Sequence, residues 1–223
     1  MYPTEIYWAR GSSGTLIPGL YHYDNAHHAM ERLFTGDVTR RIQAAVFKHP
    51  SAMQTDQFLL ISLNFWKNAF KYSSFCYHVV TQDLGALLCS LRLMATGFQS
   101  DLSPLMWYRD EEFNQLLGLE KAYENVFAVI PIPVAENIEL SQVCHDKIPP
   151  RLQHALINKE SFQRSKQVIT FETNERVHDA TLITNETRPE THRAFQASAD
   201  VPLGSEQVDL PPPDMALLQN DLL

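Results

Sequence analysis

No stretch of this 223-residue chain approaches the roughly 18–20 uncharged apolar residues that a membrane-spanning helix requires. Met1 leads straight into strand-like sequence, without the basic segment and apolar run of a secretory leader, so export is not expected. Cysteine is scarce: Cys76, Cys89 and Cys144 are odd in number and far apart, which suits neither a disulfide framework nor a four-ligand zinc site. A reducing, cytoplasmic setting is expected. Basic residues are also in deficit, with 18 Lys and Arg against 26 Asp and Glu and a net charge of -8. Such a chain has little electrostatic attraction for phosphate backbones or anionic lipid, and neither nucleic acid nor membrane is expected as a partner. There is no Gly-x-Ser-x-Gly elbow and no cysteine at a helix start, so no nucleophile of those kinds is expected. Cys89 reads as a core residue. Gly11-Ser12-Ser13-Gly14 lacks the Lys-Ser/Thr and helix of a phosphate loop and reads as a hairpin loop. His22, His27 and His28 do not read as metal ligands, because adjacent helical residues point about 100° apart and no carboxylate or cysteine completes a set.

Aromatic residues are nearly absent from the C-terminal part: 20 of 23 precede residue 134, leaving Phe162, Phe171 and Phe195. The core is therefore expected within residues 1–133. Residues 134–223 are polar, with Pro149-Pro150 and Pro211-Pro212-Pro213, and read as an arm or linker holding short elements. Within 1–133, Glu5–Ala9 and Gly19–Tyr23 read as paired strands. Trp8, Tyr21 and Tyr23 form an aromatic stripe suited to sheet packing. Asp24 offers an N-cap to a helix over 25–34, with Ala26, Ala29, Met30 and Leu33 on one face and Gly36 beyond its end. A second helix is expected from Asp37 to the stop at His49-Pro50. Phe58–Leu63 reads as a buried strand, and Val79–Met94 as a long helix apolar nearly all round, suited to a core or a subunit interface. A short strand at Leu105–Tyr108, a helix at Asp110–Leu117 closed by Gly118, and a strand at Val126–Ile132 complete the pattern. Helices and strands mixed without regular βαβ spacing indicate an α+β fold.

Three stretches carry a resemblance. Tyr2-Pro3-Thr4-Glu5-Ile6-Tyr7 leads to Gly19-Leu20-Tyr21-His22-Tyr23-Asp24. Lys71-Tyr72 with Tyr77 precedes a long helix containing Asp83 and Gly85. Gly97 through Trp107 precedes Phe113-Asn114-Gln115-Leu116-Leu117-Gly118-Leu119 and Phe127-Ala128-Val129-Ile130-Pro131. Together they resemble the SagB-type, McbC-like azoline dehydrogenases, FMN-dependent enzymes of the nitroreductase-like fold that oxidise thiazoline and oxazoline rings in ribosomal peptides. The fold so implied is incomplete at its N-terminal edge: the family's Arg-Arg-Ser segment and Ser/Gly-rich turn are not found ahead of Pro3. Ser73, Phe75 and His78 stand where the family has one glycine and two arginines, and Ala86 and Ser90 where it has His and Asn. Each lost arginine removes charge-assisted hydrogen bonds that a dianionic phosphate would accept.

The resemblance implies FMN at a dimer interface and a modified precursor peptide or small molecule as substrate. It also implies a homodimer, or a pseudo-dimer with a related domain that Asp214–Leu223 would begin. It assigns the ring-proton base to Lys71, with Tyr72 as polariser or relay; a lysine acts so only where burial or a nearby cation weakens its hold on the proton. Gln99, Ser100 and Leu102 fall where the family lays backbone against the isoalloxazine, and Pro3 and Thr4 where the strand leaves the flavin-binding turn. Two other functions suit the same residues: a flavin-free scaffold or partner subunit, and a general nitro- or quinone reductase.

Overall fold

The computed structural model of the protein describes residues 3–13, 15–133 and 168–184. The chain divides into compact units at Met1–Arg188 and Pro189–Leu223, and the second lies wholly outside the described residues, as does the expected helix start at Asp214.

The first unit is built on a five-stranded antiparallel sheet in the order β3-β2-β1-β4-β5. The strands are β1 (Thr4–Arg10), β2 (Gly19–Asp24), β3 (Ala29–Thr35), β4 (Gln57–Asn64) and β5 (Glu124–Pro131). Period-2 alternation decides which side chains face which layer. On one face Tyr7, Ala9, Leu20, Phe58, Leu60, Val126 and Val129 pack against α1 (Thr39–Ala45) and α5 (Asp110–Leu117). On the other, Ile61, Leu63, Ala128 and Ile130 pack under α4 (Cys76–Gly97). Covered on both sides, β4 needs the unbroken apolar run Phe58-Leu59-Leu60-Ile61 that its sequence supplies. Between β4 and α4 the chain makes two 3-10 turns around the short α3 (Ala69–Tyr72); α2 (Pro50–Met53) precedes β4.

The helix expected over 25–34 is instead a hairpin. Asp24 accepts the Ala26 N–H and contacts the His27 ring, the capping chemistry that the sequence suggested, but it closes a turn that sends the chain back along β2. Ala29 and Met30 are exposed, so their helical spacing has no apolar surface to bury. The expected strand at Leu105–Tyr108 is reduced to a single bridge, Leu105 with Val129. The Asp37 helix begins at Thr39, whose N–H Asp37 accepts, and ends before Phe47 and Lys48, both at positive φ.

α5 shows why its bounds were readable: Asp110, Glu111 and Glu112 occupy the positive end of its dipole, and Gly118 adopts the left-handed conformation. The Leu119 N–H then reaches Asn114 O and the Gly118 N–H reaches Gln115 O. α4 buries Cys76, Tyr77, Val80, Leu84 and Leu88, one stripe at spacings of three and four. Its opposite flank is open, with Leu93 70%, Met94 61% and the following Phe98 81% exposed. Cys89 lies there too, exposed rather than in the core, because it is one position off the buried stripe.

A further helix, α6 (Glu172–Thr181), packs against the start of α4. Asn174 donates to Ser73 O, and the next segment clasps α5 by two bonds, Asp110 N–H to Ile183 O and Ile183 N–H to Asp110 Oδ2 at 2.6 Å.

Candidate functional site

A groove of about 370 Å³ opens where the start of β1 and the end of β2 meet the middle of α4. Pro3, Thr4 and Ile6 line it from β1, and Asp83, Ala86 and Leu87 from α4. Pro3 is held by its carbonyl, which accepts the Asn64 N–H at 2.7 Å. These walls suit a flat apolar ring. They do not suit a phosphate: Asp83 is an acid on the wall, and no Lys or Arg lines the groove. The described residues therefore do not fit FMN as a whole.

The remaining expected site residues lie elsewhere. Lys71 and Tyr72 end α3, with the exposed Lys71 ammonium 4.9 Å from the centre of the Tyr72 ring and Tyr72 packed on the α4-side core. Ser73 follows at φ 53° and ψ -132°, a conformation costly for any residue with a Cβ. The glycine that the resemblance sets there would relieve it. Ser73→Gly is therefore expected to raise stability by about 1 kcal/mol despite the flexibility that glycine adds, and urea unfolding would measure the gain.

Gln99 and Ser100 cap the far end of α4. Gln99 takes positive φ, its N–H bonds Thr96 O, and the Ser100 N–H bonds Ala95 O. Leu102 rests against the core below. With 22 residues at about 1.5 Å each, α4 puts roughly 30 Å between Lys71-Tyr72 at one end and Gln99–Leu102 at the other. One copy of the fold thus does not gather the expected residues; it spreads them along a helix whose outer flank is open.

Two polar constellations escaped sequence reasoning. On the α1/α5 side of the sheet, Glu5 joins His22 Nε2 at 3.0 Å and Lys67 Nζ at 2.7 Å, while Tyr7 Oη and Ser62 Oγ both donate to Glu124 Oε1. Burial pushes the Tyr7 phenol far above its ordinary range, helped by the charges of Glu124 and Glu5. Alternation along β1 placed Glu5 and Tyr7 on one face, but only the cross-strand register brings His22 beside Tyr7. No metal-holding group of His, Cys, Asp and Glu occurs among the described residues.

The second constellation joins α4 to α6. Tyr77 Oη lies 3.3 Å from His178 Nδ1 and 3.1 Å from Thr181 Oγ1, and the His178 ring packs among Phe65, Tyr77 and Phe127. Burial lowers the His178 imidazole from 6.5 to about 4 and raises the nearby Asp110 carboxyl from 3.8 to about 6.

These shifts act on stability with opposite signs. Asp110 holds its proton more tightly folded than unfolded, so its contribution is full below pH 3.8 and is lost as pH rises through about 6. His178 contributes fully above pH 6.5 and loses that contribution as pH falls through about 4. Between these limits the two offset each other. Asp110→Asn, which keeps an oxygen for the Ile183 N–H, is expected to lose Tm relative to the parent as pH falls from 6.5 to 4. His178→Phe is expected to gain over the same range. Thermal melts at a series of pH values would read this, and curves parallel to the parent would contradict it.

Comparison with known proteins places the fold. No protein-family model matches the chain, and none of the curated proteins does. Among solved structures, the chain is similar to a protein of Anabaena variabilis described as a nitroreductase, with TM-score 0.61 and 26% identity over 82% of this chain and 36% of that one. It thus spans about a third of that protein's length. It also aligns with the E. coli microcin synthetase McbBCD complex with truncated pro-MccB17 bound, at TM-score 0.49 and 18% identity over 61% of this chain and 53% of that one. A Ralstonia eutropha protein described as a nitroreductase aligns at TM-score 0.45 and 15% identity over 59% and 57%. The fold is nitroreductase-like, a fold of flavin-type oxidoreductases. No described helix is long and apolar enough to cross a membrane.

Proposed function

We propose that this chain is one half of a two-part, FMN-dependent oxidoreductase, completed when a second nitroreductase-like half, a further copy or a related domain, packs on the open flank of α4. The observation that carries this is α4 itself: Leu93, Met94 and Phe98 are exposed beside a groove of about 540 Å³ lined by Gly85, Leu88, Cys89, Arg92 and Met106. Apolar surface of that kind ordinarily marks a contact. A mate crossing antiparallel would bring its Gln99–Leu102 end beside Lys71-Tyr72 of this chain, closing the roughly 30 Å gap that one copy leaves. This half would offer ring-facing surface at Pro3 and Thr4, and the phosphate grip would come from elsewhere.

The azoline reading rests on the motif likeness at Gly19–Asp24 and Lys71-Tyr72, with a modified peptide as substrate. In that reading Lys71, kept as the neutral amine by the mate's cover, accepts the ring proton, and the Tyr72 ring holds the ammonium that results. A second reading, a flavin-free supporting half, is favoured by Asp83 and the lack of a cation in the β1/α4 groove. Titrating the purified protein with FMN, alone and with a candidate second half, separates the two. Saturable binding with visible flavin absorbance supports the enzyme; no uptake in either arm leaves the scaffold.

A further inference from the structure

α6 reaches the neighbourhood of Lys71 from a remote part of the sequence. In its first turn Asn174, only 5% exposed, donates from Nδ2 to Ser73 O at 3.1 Å, across 101 positions of chain. Phe171, just ahead of α6, packs on the same core that holds Tyr72, and its carbonyl accepts the Asn174 N–H at 2.9 Å. The Asn174 backbone is thereby fixed to that core.

The bond to Ser73 decides which way the Asn174 amide points. With Nδ2 on Ser73 O, Oδ1 is buried without a partner among the described residues, which is costly. The reverse orientation would set Oδ1 against a carbonyl oxygen, two acceptors facing each other. The amide therefore keeps its donor on Ser73 at the expense of its own oxygen.

Ser73 needs such a partner. Its φ of 53° and ψ of -132° form a conformation that a residue with a Cβ keeps only where its surroundings over-determine it. Its N–H closes α3 on Ala69 O, and its carbonyl accepts from the Cys76 N–H at the start of α4 as well as from Asn174. This turn follows Lys71-Tyr72 directly, so it sets how α3 runs into α4 and where the Lys71 ammonium lies over the Tyr72 ring. Glycine at this position would hold the same turn without strain.

We infer that Asn174 is a positioning residue, which clamps the Ser73 carbonyl so that the strained turn persists and Lys71 stays over Tyr72 in the arrangement that proton transfer requires. Asn174 takes no proton itself; it compensates for serine where the turn favours glycine. The inference rests on the reading of Lys71 as the base, but the placement of Lys71 can be read without turnover.

A double-mutant cycle of Asn174→Ala and Ser73→Gly on the full chain tests this. The Lys71 side-chain protons nearest its nitrogen lie over the Tyr72 ring and carry a ring-current shift, which NMR with labelled lysine reads in the protein alone. Asn174→Ala is expected to shrink that shift. In the assembled protein it should also lower kcat on a thiazoline peptide roughly 5- to 10-fold with little change in KM, the worth of one hydrogen bond. In the Ser73→Gly background the same substitution should leave both readings nearly unchanged, because glycine needs no clamp. The cycle decides whether or not α6 stays docked in Asn174→Ala, since both backgrounds carry the same change. Equal losses in the two backgrounds would mean that Asn174 only packs α6, and would overturn the proposal. So would a Lys71 shift that Asn174→Ala leaves at the parent value. Coupling seen in the Lys71 shift without any effect on turnover would leave the clamp standing and remove Lys71 from the chemistry.

Discussion

Leu93→Glu combined with Phe98→Glu is expected to reduce the assembled protein to single halves and to abolish its flavin uptake, while leaving the fold of each half intact. Both side chains are mostly exposed in the described chain, so neither contributes much to its core. In an assembly the balance reverses. Burying a Leu, Met or Phe side chain stabilises by about 1.5–3 kcal/mol each, which three such residues turn into a substantial driving force. Against this stands the loss of translational and rotational freedom on association. Replacing two of them removes that gain and forces carboxylates into a dry interface at several kcal/mol each. The dissociation constant should rise by at least about 1,000-fold, roughly 4 kcal/mol. Light scattering and flavin absorbance would register both losses. A variant that stays assembled and yellow would mean that the halves meet elsewhere.

Lys71→Ala carries the next largest expected effect, a fall in turnover of about 100- to 10,000-fold on a thiazoline peptide in the assembled protein, the usual range for losing a positioned base. Lys71 is exposed and ends a four-residue helix, so the substitution has little reason to disturb the fold. Lys71→Arg sharpens the test. It keeps a cation over the Tyr72 ring, 4.9 Å from the lysine ammonium in the parent, but guanidinium does not give up its proton in proteins. It should therefore preserve the local structure and still lose the rate. Unchanged turnover in Lys71→Ala would remove this residue from the chemistry.

What was legible in the sequence follows from how many forces agreed at each element. β4 was clear because both faces are covered and its apolar run is unbroken. α5 was clear because acidic residues, apolar spacing and Gly118 all mark the same bounds. The β2–β3 hairpin was not, since Asp24 serves a turn as readily as a cap and the following apolar residues happen to recur at helical intervals. α4 was readable as a helix but not its orientation: apolar residues nearly all round do not say which side meets the sheet, and Cys89 came out on the other one.

The site was less legible than the fold. Motif likeness named Lys71, Tyr72, Gln99, Ser100 and Leu102 as neighbours in function, and only the length of α4 reveals their separation within one copy. His178 was hidden for a different reason. It lies in a polar stretch with no aromatic neighbour after Phe171, and its surroundings are assembled from Phe65, Tyr77 and Phe127, all remote in sequence.

Alkylation of Cys89 tests the central claim most directly, because this thiol is exposed on the α4 flank while Cys76 is buried. Peptide mapping after brief maleimide treatment should find Cys89 protected in the assembled protein and readily modified in the Leu93→Glu, Phe98→Glu variant. Modification of Cys89 in the parent as fast as in that variant would contradict the account, since it would leave the outer face of α4 with nothing packed upon it.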